Sequence, residues 1–163
     1  MFYAHLFEGL ERHGVRYAVA GGLAVNLHGV PRTTADVDLV VDLNPDNLKN
    51  FLDVMQELGF RPKLPLKAEE LLSEEERRDW IEHRNLHAFT FWNEQRPFEE
   101  IDLLLTVSDD MGILERAQVV IAGNLKIYLS SIDDLIKMKQ CVNRLQDKAD
   151  IEALEQLKQL EIQ

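Results

Sequence analysis

The sequence predicts a mixed α/β (α+β) fold, in which helices flank a mixed β-sheet and further helices follow at the C-terminal end. Three observations predict this class. In the first half of the chain, short β-prone runs alternate with amphipathic stretches at helical spacing. Two further strand patterns near residues 90 and 100 are separated only by a short polar turn. From residue 132 onward the chain carries helical patterns alone.

The first half of the chain alternates helices and strands. Leu6, Phe7 and Leu10 share one face of a helix predicted over 2–13, which Gly14 ends. The elements that follow are a strand over 16–20, a tight turn at Gly21-Gly22, a helix over 23–28, a loop, a strand over 37–41, a helix from Asn44-Pro45-Asp46 to Gly59, and a strand over 60–64.

The second half begins with an acidic, helix-prone stretch over 68–82 and ends in helices. Between them the sequence predicts strands over 86–92 and 98–105, a short helix over 109–117, and a hairpin of 119–122 with 125–129 that turns at Gly123-Asn124. Ser131 followed by Asp134 predicts a helix cap, and 132–162 reads as two helices with a break near 143–146. Because no long linker interrupts the chain, we expect one domain over 1–163, with a core of about 1–130 and a C-terminal helical segment of about 131–163.

Composition excludes several classes of protein. The chain has 163 residues and a formal net charge of −11, which disfavours extensive binding to a nucleic-acid backbone. No apolar run approaches the roughly 18 residues that a membrane span needs, and Glu8 and Glu11 interrupt the N-terminal stretch. The single cysteine, Cys141, excludes an internal disulfide, and its neighbours predict packing in the core or at a helix interface. We therefore expect a cytoplasmic protein that does not interact with membranes.

The most informative motif is Asp36-Val37-Asp38. On a strand, side chains two residues apart project to the same face, so the two carboxylates lie side by side and repel each other. A divalent cation relieves such repulsion, and Mg²⁺ binds through one or two carboxylates together with substrate phosphates. An isolated Asp-x-Asp is also typical of a solvent-facing strand, so its neighbours decide the interpretation.

Three neighbouring features favour a phosphate site. Gly21 and Gly22 separate a strand from a helix, where backbone N–H groups can approach a phosphate without an intervening Cβ. Arg32 and Thr34 offer a planar cation and a hydroxyl to the same phosphates. Asp102 stands among apolar residues of a strand, where a carboxylate needs a partner. If that strand lies beside the first acidic strand, three acids converge in a two-metal arrangement.

These residues resemble the nucleotidyltransferase superfamily, whose shared pattern is a glycine turn, hG[GS], followed by [DE]-h-[DE] and a later third acid. The chain is similar in particular to the AbiEii-type and minimal bacterial nucleotidyltransferases. The similar stretches are YAVAGGLAVNLHGVPRTTADVDLVVD, residues 17–42, and SSIDDLIKMKQCVNRLQDKADIEAL, residues 130–154.

The resemblance implies a role for each residue of the front motif. Gly21 and Gly22 would hold a triphosphate, and Asp36 and Asp38 would bind two Mg²⁺ ions, for which Mn²⁺ could substitute. Asp102 would be the third metal-binding acid and would activate the attacking hydroxyl. Many members have serine at the position of Gly22, and many carry an additional domain for the acceptor, which we do not expect within these 163 residues.

The resemblance also assigns residues of the C-terminal segment. Lys139 matches a helical lysine that neutralises nucleotide phosphates, and Asp150 or Asp147 matches the acid that follows it. Lys139 and Asp150 are eleven residues apart, which places them on one face if a single helix continues between them.

The leading hypothesis is a Mg²⁺-dependent nucleotidyltransferase that moves a nucleoside monophosphate from an NTP, such as ATP, to a hydroxyl acceptor. The acceptor could be a small molecule, a protein or an RNA. One variant of this hypothesis is resistance-type modification of a drug, as in the aminoglycoside and lincosamide nucleotidyltransferases. The alternative is a catalytically silent binding module that acts as an antitoxin-like or regulatory partner of another protein in a toxin–antitoxin pair.

Overall fold

The computed structural model describes residues 2–107, 111–142 and 144–162, which form helices packed on one mixed seven-stranded sheet. The helices are α1 (Phe2–Arg12), α2 (Gly21–Leu27), α3 (Pro45–Glu57), α4 (Glu74–Arg84), α5 (Ile132–Gln140) and α6 (Leu145–Ile162). The strands are β1 (Tyr17–Ala20), β2 (Val37–Val41), β3 (Phe60–Pro62), β4 (Ala88–Asn93), β5 (Arg96–Leu104), β6 (Gln118–Ala122) and β7 (Leu125–Leu129). This architecture confirms the predicted fold class.

The strand order is β3-β4-β5-β2-β1-β7-β6. β2 therefore lies at the centre, antiparallel to β1 and parallel to β5. In this register Asp38 stands opposite Ala20 on one side and opposite Asp102 on the other. The condition on which the three-acid prediction depended, that the strand of Asp102 lies beside the first acidic strand, is met.

Alternating burial along β4 separates a core face of the sheet from a polar face. Phe89 and Phe91 are buried, and their rings contact Trp80 of α4 and Phe51 of α3, with centroid separations of 5.5 and 5.7 Å. Since α3 and α4 cover this face, the intervening polar residues of the central strands project to the other face, where they are half-exposed. The acids are thereby kept out of the core.

Local signals placed several element ends correctly. The Asn44 side chain accepts a hydrogen bond from the Asp46 N–H at 2.9 Å and caps α3. The Ser131 hydroxyl likewise accepts a hydrogen bond from the Asp134 N–H at 3.1 Å and caps α5. The hairpin of β6 and β7 also forms as predicted.

Three predicted elements differ from the structure. α2 begins at Gly21 itself, so no separate turn precedes it. The acidic stretch is divided at Ser73 into a 3₁₀ helix, Ala68–Leu72, and α4, because the Ser73 side chain accepts a hydrogen bond from the Glu76 N–H and starts a new helix. The short helix predicted over 109–117 does not form over residues 112–117: residues 113–116 form a turn, and Gly112 has a positive φ of 69° that is incompatible with a helix. Residues 109–110 of that prediction lie outside the described residues.

The C-terminal segment does form two helices: α5 ends at Gln140 and α6 begins at Leu145. Residue 143 of the predicted break lies outside the described residues. Cys141 is exposed just after α5, so the prediction that it packs in the core or at a helix interface is wrong. Within the described ranges, no helix combines the length and apolar character needed to cross a membrane.

Candidate functional site

Every site residue predicted from the sequence, except Asp150 and its alternative Asp147, lines a single cavity of about 330 Å³. The predicted residues that line it are Gly21, Gly22, Arg32, Thr34, Asp36, Asp38, Asp102 and Lys139. Arg144, which the sequence did not single out, lines it as well. A larger cavity of about 460 Å³ lies between α3 and β3 and contains none of the predicted residues, so size alone does not identify the site.

The acidic side of the cavity is built by the parallel pairing of β2 with β5. This pairing puts Asp38 next to Asp102, and a hydrogen bond joins their side chains. The Thr90 hydroxyl of β4 donates a hydrogen bond to Asp102 Oδ1 at 2.6 Å and fixes the orientation of that carboxyl. Asp36 precedes β2 and lines the same cavity. The structure therefore brings the three predicted acids to one wall.

The acids perturb one another. Burial, followed by the charges of Asp102 and Asp36, raises the pKa of Asp38 to about 6, although Lys139 acts in the opposite direction. Burial and the charge of Asp102 also raise the pKa of Asp36, against the effect of Lys63. Lys139 and Lys63 form their ion pairs with other acids. The carboxylates thus lack a bound counter-charge from the described protein side chains.

The acid wall fits a cation that also takes ligands from a substrate. Within the described residues, no three His, Cys, Asp or Glu side chains are arranged to hold a metal ion by themselves. Asp38 and Asp102 are nevertheless adjacent carboxylates, and Mg²⁺ is usually held by one or two carboxylates, substrate phosphates and water. The residues present therefore suit Mg²⁺ that arrives with a phosphate compound better than a metal enclosed by protein ligands alone.

Gly21 leaves room for Asp38. Its φ is +61°, and a Cβ at this position would overlap the Asp38 carboxyl oxygen Oδ2. Both the backbone conformation and the close approach of Asp38 therefore require glycine here. The sequence motif is explained by steric demand at the carboxylate as well as by access to a ligand.

Gly22 leaves room for the loop 28–36. A Cβ at this position would lie 2.9 Å from Thr34 Oγ1 and 3.1 Å from Arg32 Cζ. The side chains of Thr34 and Arg32 thus occupy the space into which a serine at position 22 would extend. The hydroxyl that the glycine lacks is supplied close by from Thr34.

The basic side of the cavity consists of Arg32, Lys139 and Arg144. Two buried acids of α6 lie against these cations, and Asp147 and Asp150 are each only 2% exposed. Lys139 Nζ is 2.8 Å from Asp150 Oδ2 and 3.6 Å from Asp147 Oδ1. Asp150 also pairs with the Arg32 guanidinium, and Asp147 Oδ2 accepts a hydrogen bond from Arg144 Nε at 2.9 Å. The cations are thereby fixed at the cavity edge.

The same contacts revise the sequence arguments about Asp150 and Asp147. Asp150 does not line the cavity but lies against Arg32 and Lys139. Because α5 and α6 are separate helices, the one-helix argument for Lys139 and Asp150 does not apply, and they meet across the helix break. Burial opposes ionisation of Asp147, but hydrogen bonds from Arg144 and the charges of Arg144 and Lys139 hold its pKa below the usual range.

One donor at the site has no partner. The Nε–H of Arg32 is buried and forms no hydrogen bond with the described residues. A buried donor left unpaired costs about 1–3 kcal/mol, so an anion able to accept from Arg32 would relieve that penalty.

Arg144 and Thr90 were not predicted as site residues from the sequence, because their positions depend on the helix break and on the register of the β4–β5 hairpin. For Arg144, the only local signal in the sequence was its i,i+3 spacing from Asp147.

No protein-family model matches this sequence, and no curated protein matches it. Solved structures do share its fold. The lincosamide antibiotic adenylyltransferase LnuA, solved with lincomycin bound, is 16% identical with a TM-score of 0.62, over 96% of this chain and 94% of its own. ANT(2")-Ia, solved in complex with adenylyl-2"-tobramycin, is 12% identical with a TM-score of 0.55, over 98% of this chain and 92% of its own. An antigenic nucleotidyltransferase-like protein from Paracoccidioides brasiliensis is 18% identical with a TM-score of 0.56, over 95% of this chain and 72% of its own. At these identities the similarity establishes a nucleotidyltransferase-like fold.

Proposed function

We propose that this protein is a Mg²⁺-dependent nucleotidyltransferase that transfers a nucleoside monophosphate from an NTP to a hydroxyl acceptor and releases pyrophosphate. The supporting observation is the division of one cavity into a wall of three carboxylates and an edge of three cations. A metal-bound polyphosphate complements both, since its metal faces carboxylates and its phosphate oxygens face cations.

The cations of this chain would hold and neutralise the phosphates. Lys139 and Arg144 would contact the phosphate oxygens that carry charge in the leaving pyrophosphate, and Arg32 would use its unpartnered Nε–H. Since Asp147 and Asp150 already fix these side chains, little reorganisation is needed when charge develops on the phosphates. Catalysis would then depend on positioning and charge stabilisation.

The carboxylates would hold the metal and receive a proton. Asp38 and Asp102 would be the principal metal ligands, with Asp36 beside them, and the metal would neutralise charge on the transferring group. Asp102 would help to take the proton from the acceptor hydroxyl as its oxygen bonds to the α-phosphorus. The bond from the α-phosphorus to the bridging oxygen of the β-phosphate would break, with departure of pyrophosphate. Thr90 would keep the Asp102 carboxyl oriented for this step.

A hydroxylated small molecule is the first acceptor class to test. Two of the proteins with this fold were solved with an antibiotic or an adenylylated antibiotic bound. The net charge of −11 favours a cationic acceptor over RNA, because like charges slow the approach of a polyanion. A hydroxyl group of a protein is the second acceptor class to test.

The test is transfer of label from each of the four common NTPs, radiolabelled at the α-phosphate, with Mg²⁺ and a panel of hydroxylated small molecules, proteins and RNAs. We expect transfer that EDTA abolishes and that Asp102→Asn slows by at least about 10³-fold. Asp53→Asn is the matched control, because Asp53 is an exposed acid outside the cavity.

Two results would contradict the proposed nucleotidyltransferase activity. If no NTP binds in calorimetry with Mg²⁺ and no label is transferred, the proposal is wrong. If the chain binds a protein partner tightly and Asp38→Asn leaves that binding unchanged while NTP binding is absent, the antitoxin-like module is the better account.

A further inference from the structure

The loop 28–36 carries Arg32 to the cavity, and one side chain of α2 fixes its backbone. Asn26 Nδ2 donates a hydrogen bond to the Arg32 carbonyl oxygen at 2.7 Å. The Arg32 N–H in turn donates to Asn26 Oδ1 at 3.1 Å. The Asn26 side-chain amide therefore donates one hydrogen bond to the backbone of Arg32 and accepts another from it. This pair of hydrogen bonds fixes both the position and the orientation of that peptide segment.

The guanidinium end of Arg32 is fixed independently. Asp150 pairs with Nη1, and the guanidinium carbon packs over Gly22, where only the missing Cβ leaves space. Nε–H is left buried and without a partner among the described residues. Arg32 is thus held at its backbone and at its tip while one donor has no partner among the described residues, as expected of a preformed receptor for an anion.

We propose that Asn26 is a positioning residue for polyphosphate binding, which acts through Arg32 and does not contact the ligand. The inference rests on the proposed function, because it takes the NTP phosphates as the anion. Without the Asn26 amide, the loop keeps the Arg32–Asp150 pair but loses the constraint on its backbone. Arg32 then has to be ordered during binding, and affinity falls.

The chain contains a matched control for this pairing. Asn47 of α3 accepts a hydrogen bond from the Arg16 N–H at 2.8 Å and donates to the Arg16 carbonyl oxygen at 3.0 Å. It also donates to the Asp42 carbonyl oxygen at 2.8 Å. Asn47 and Arg16 lie outside the site cavity, and Arg16 adjoins the end of β1 opposite Gly21. Replacing Asn47 therefore removes the same kind of clamp where no ligand is proposed.

The experiment compares the full-length wild type with Asn26→Leu, Arg32→Ala, the double variant and Asn47→Leu. Each is titrated calorimetrically with Mg²⁺ and each common NTP, and with Mg²⁺ and inorganic tripolyphosphate as a probe without a nucleoside. We expect Asn26→Leu to weaken binding of both kinds of probe by about tenfold, and Asn47→Leu by less than about twofold despite a comparable fall in Tm. In the Arg32→Ala background, Asn26→Leu should change affinity by less than about twofold.

Two results overturn the inference while leaving the proposed function intact: wild-type affinity in the Asn26→Leu protein, or an equal loss from Asn26→Leu with and without Arg32. The second result would mean that Asn26 acts on the fold in general. If the wild type itself binds none of the probes, the proposed function fails, and this inference fails with it. Should Asn26→Leu not fold, Asn26→Ser, a smaller side chain that cannot make both hydrogen bonds, takes its place in the same comparison.

Discussion

Replacing Asp38 by asparagine should stabilise the ligand-free protein near neutral pH. Burial, then the charges of Asp102 and Asp36, raises the pKa of Asp38 to about 6, whereas an ordinary aspartate titrates near 3.9. The folded state therefore holds the Asp38 proton more tightly than the unfolded state does. That contribution to stability is fully present below about pH 4 and is lost as the pH rises through about 6. Near pH 7.5, the ionised carboxylate costs about 2–3 kcal/mol of unfolding free energy.

The asparagine avoids this loss without a change of shape. It has nearly the same volume as aspartate, so it fits against Gly21, and its amide can still donate a hydrogen bond to Asp102. We expect the Tm to rise by about 4–12 °C near pH 7.5 and to change little near pH 4. Thermal unfolding in EDTA at both pH values measures this difference. Asp53→Asn, which removes an exposed acid from α3, controls for the general effect of lowering the net charge.

An Asp38→Asn protein that is no more stable than the wild type near pH 7.5 would refute this reasoning. So would an equal gain at both pH values, because a charge effect must depend on ionisation. The proposed function adds a second readout. Mg²⁺ with an NTP should stabilise the wild type, in which Asp38 can bind the metal, and should stabilise Asp38→Asn much less.

Two further predictions concern the basic side of the cavity. Gly22→Ser places a side chain against Thr34 and Arg32, so we expect Mg²⁺-dependent NTP affinity in calorimetry to fall about tenfold. The double variant Gly22→Ser/Thr34→Ala should recover most of the lost NTP affinity. A double variant whose affinity falls by the sum of the two single effects would contradict the steric reasoning. Asp150→Asn leaves Lys139 and Arg32 beside an uncharged group, so the unfolding free energy in urea should fall by about 3 kcal/mol. Tripolyphosphate should recover part of the lost unfolding free energy. A fall of under about 1 kcal/mol in Asp150→Asn would show that Asp150 is not needed to hold the cations.

The front half of the site could be predicted because its signals are local. Strand alternation predicts Asp36 and Asp38 on one face, and both line the cavity although β2 itself begins only at Val37. Asp102 is different, since its place beside Asp38 depends on the pairing of β2 with β5, more than 60 residues apart along the chain. The sequence could state that condition but could not determine the strand order, which is fixed by packing of whole elements.

The C-terminal half of the site shows the limit of periodicity. The prediction joined Lys139 to Asp150 through one continuous helix, and the two residues do meet, but across two helices. Two helices of the same apolar pattern look alike in sequence whether they are collinear or fold back on each other. Arg144 was overlooked for the same reason, because only the fold-back of α6 brings it to the cavity.

The geometry of the two charge groups also explains why a metal and a polyphosphate should bind together. Each group is unfavourable in isolation: burial and mutual repulsion raise the pKa of Asp38, and the buried Arg32 Nε–H has no acceptor. A polyphosphate alone would satisfy the cations but would bring negative charge toward the carboxylates. A divalent cation alone would satisfy the carboxylates but would find too few protein ligands, since no three His, Cys, Asp or Glu side chains in the described ranges are arranged to hold a metal ion by themselves. Only a metal ion and a polyphosphate bound together satisfy both the carboxylates and the cations. Each ligand should therefore raise the affinity for the other, as reciprocal linkage requires.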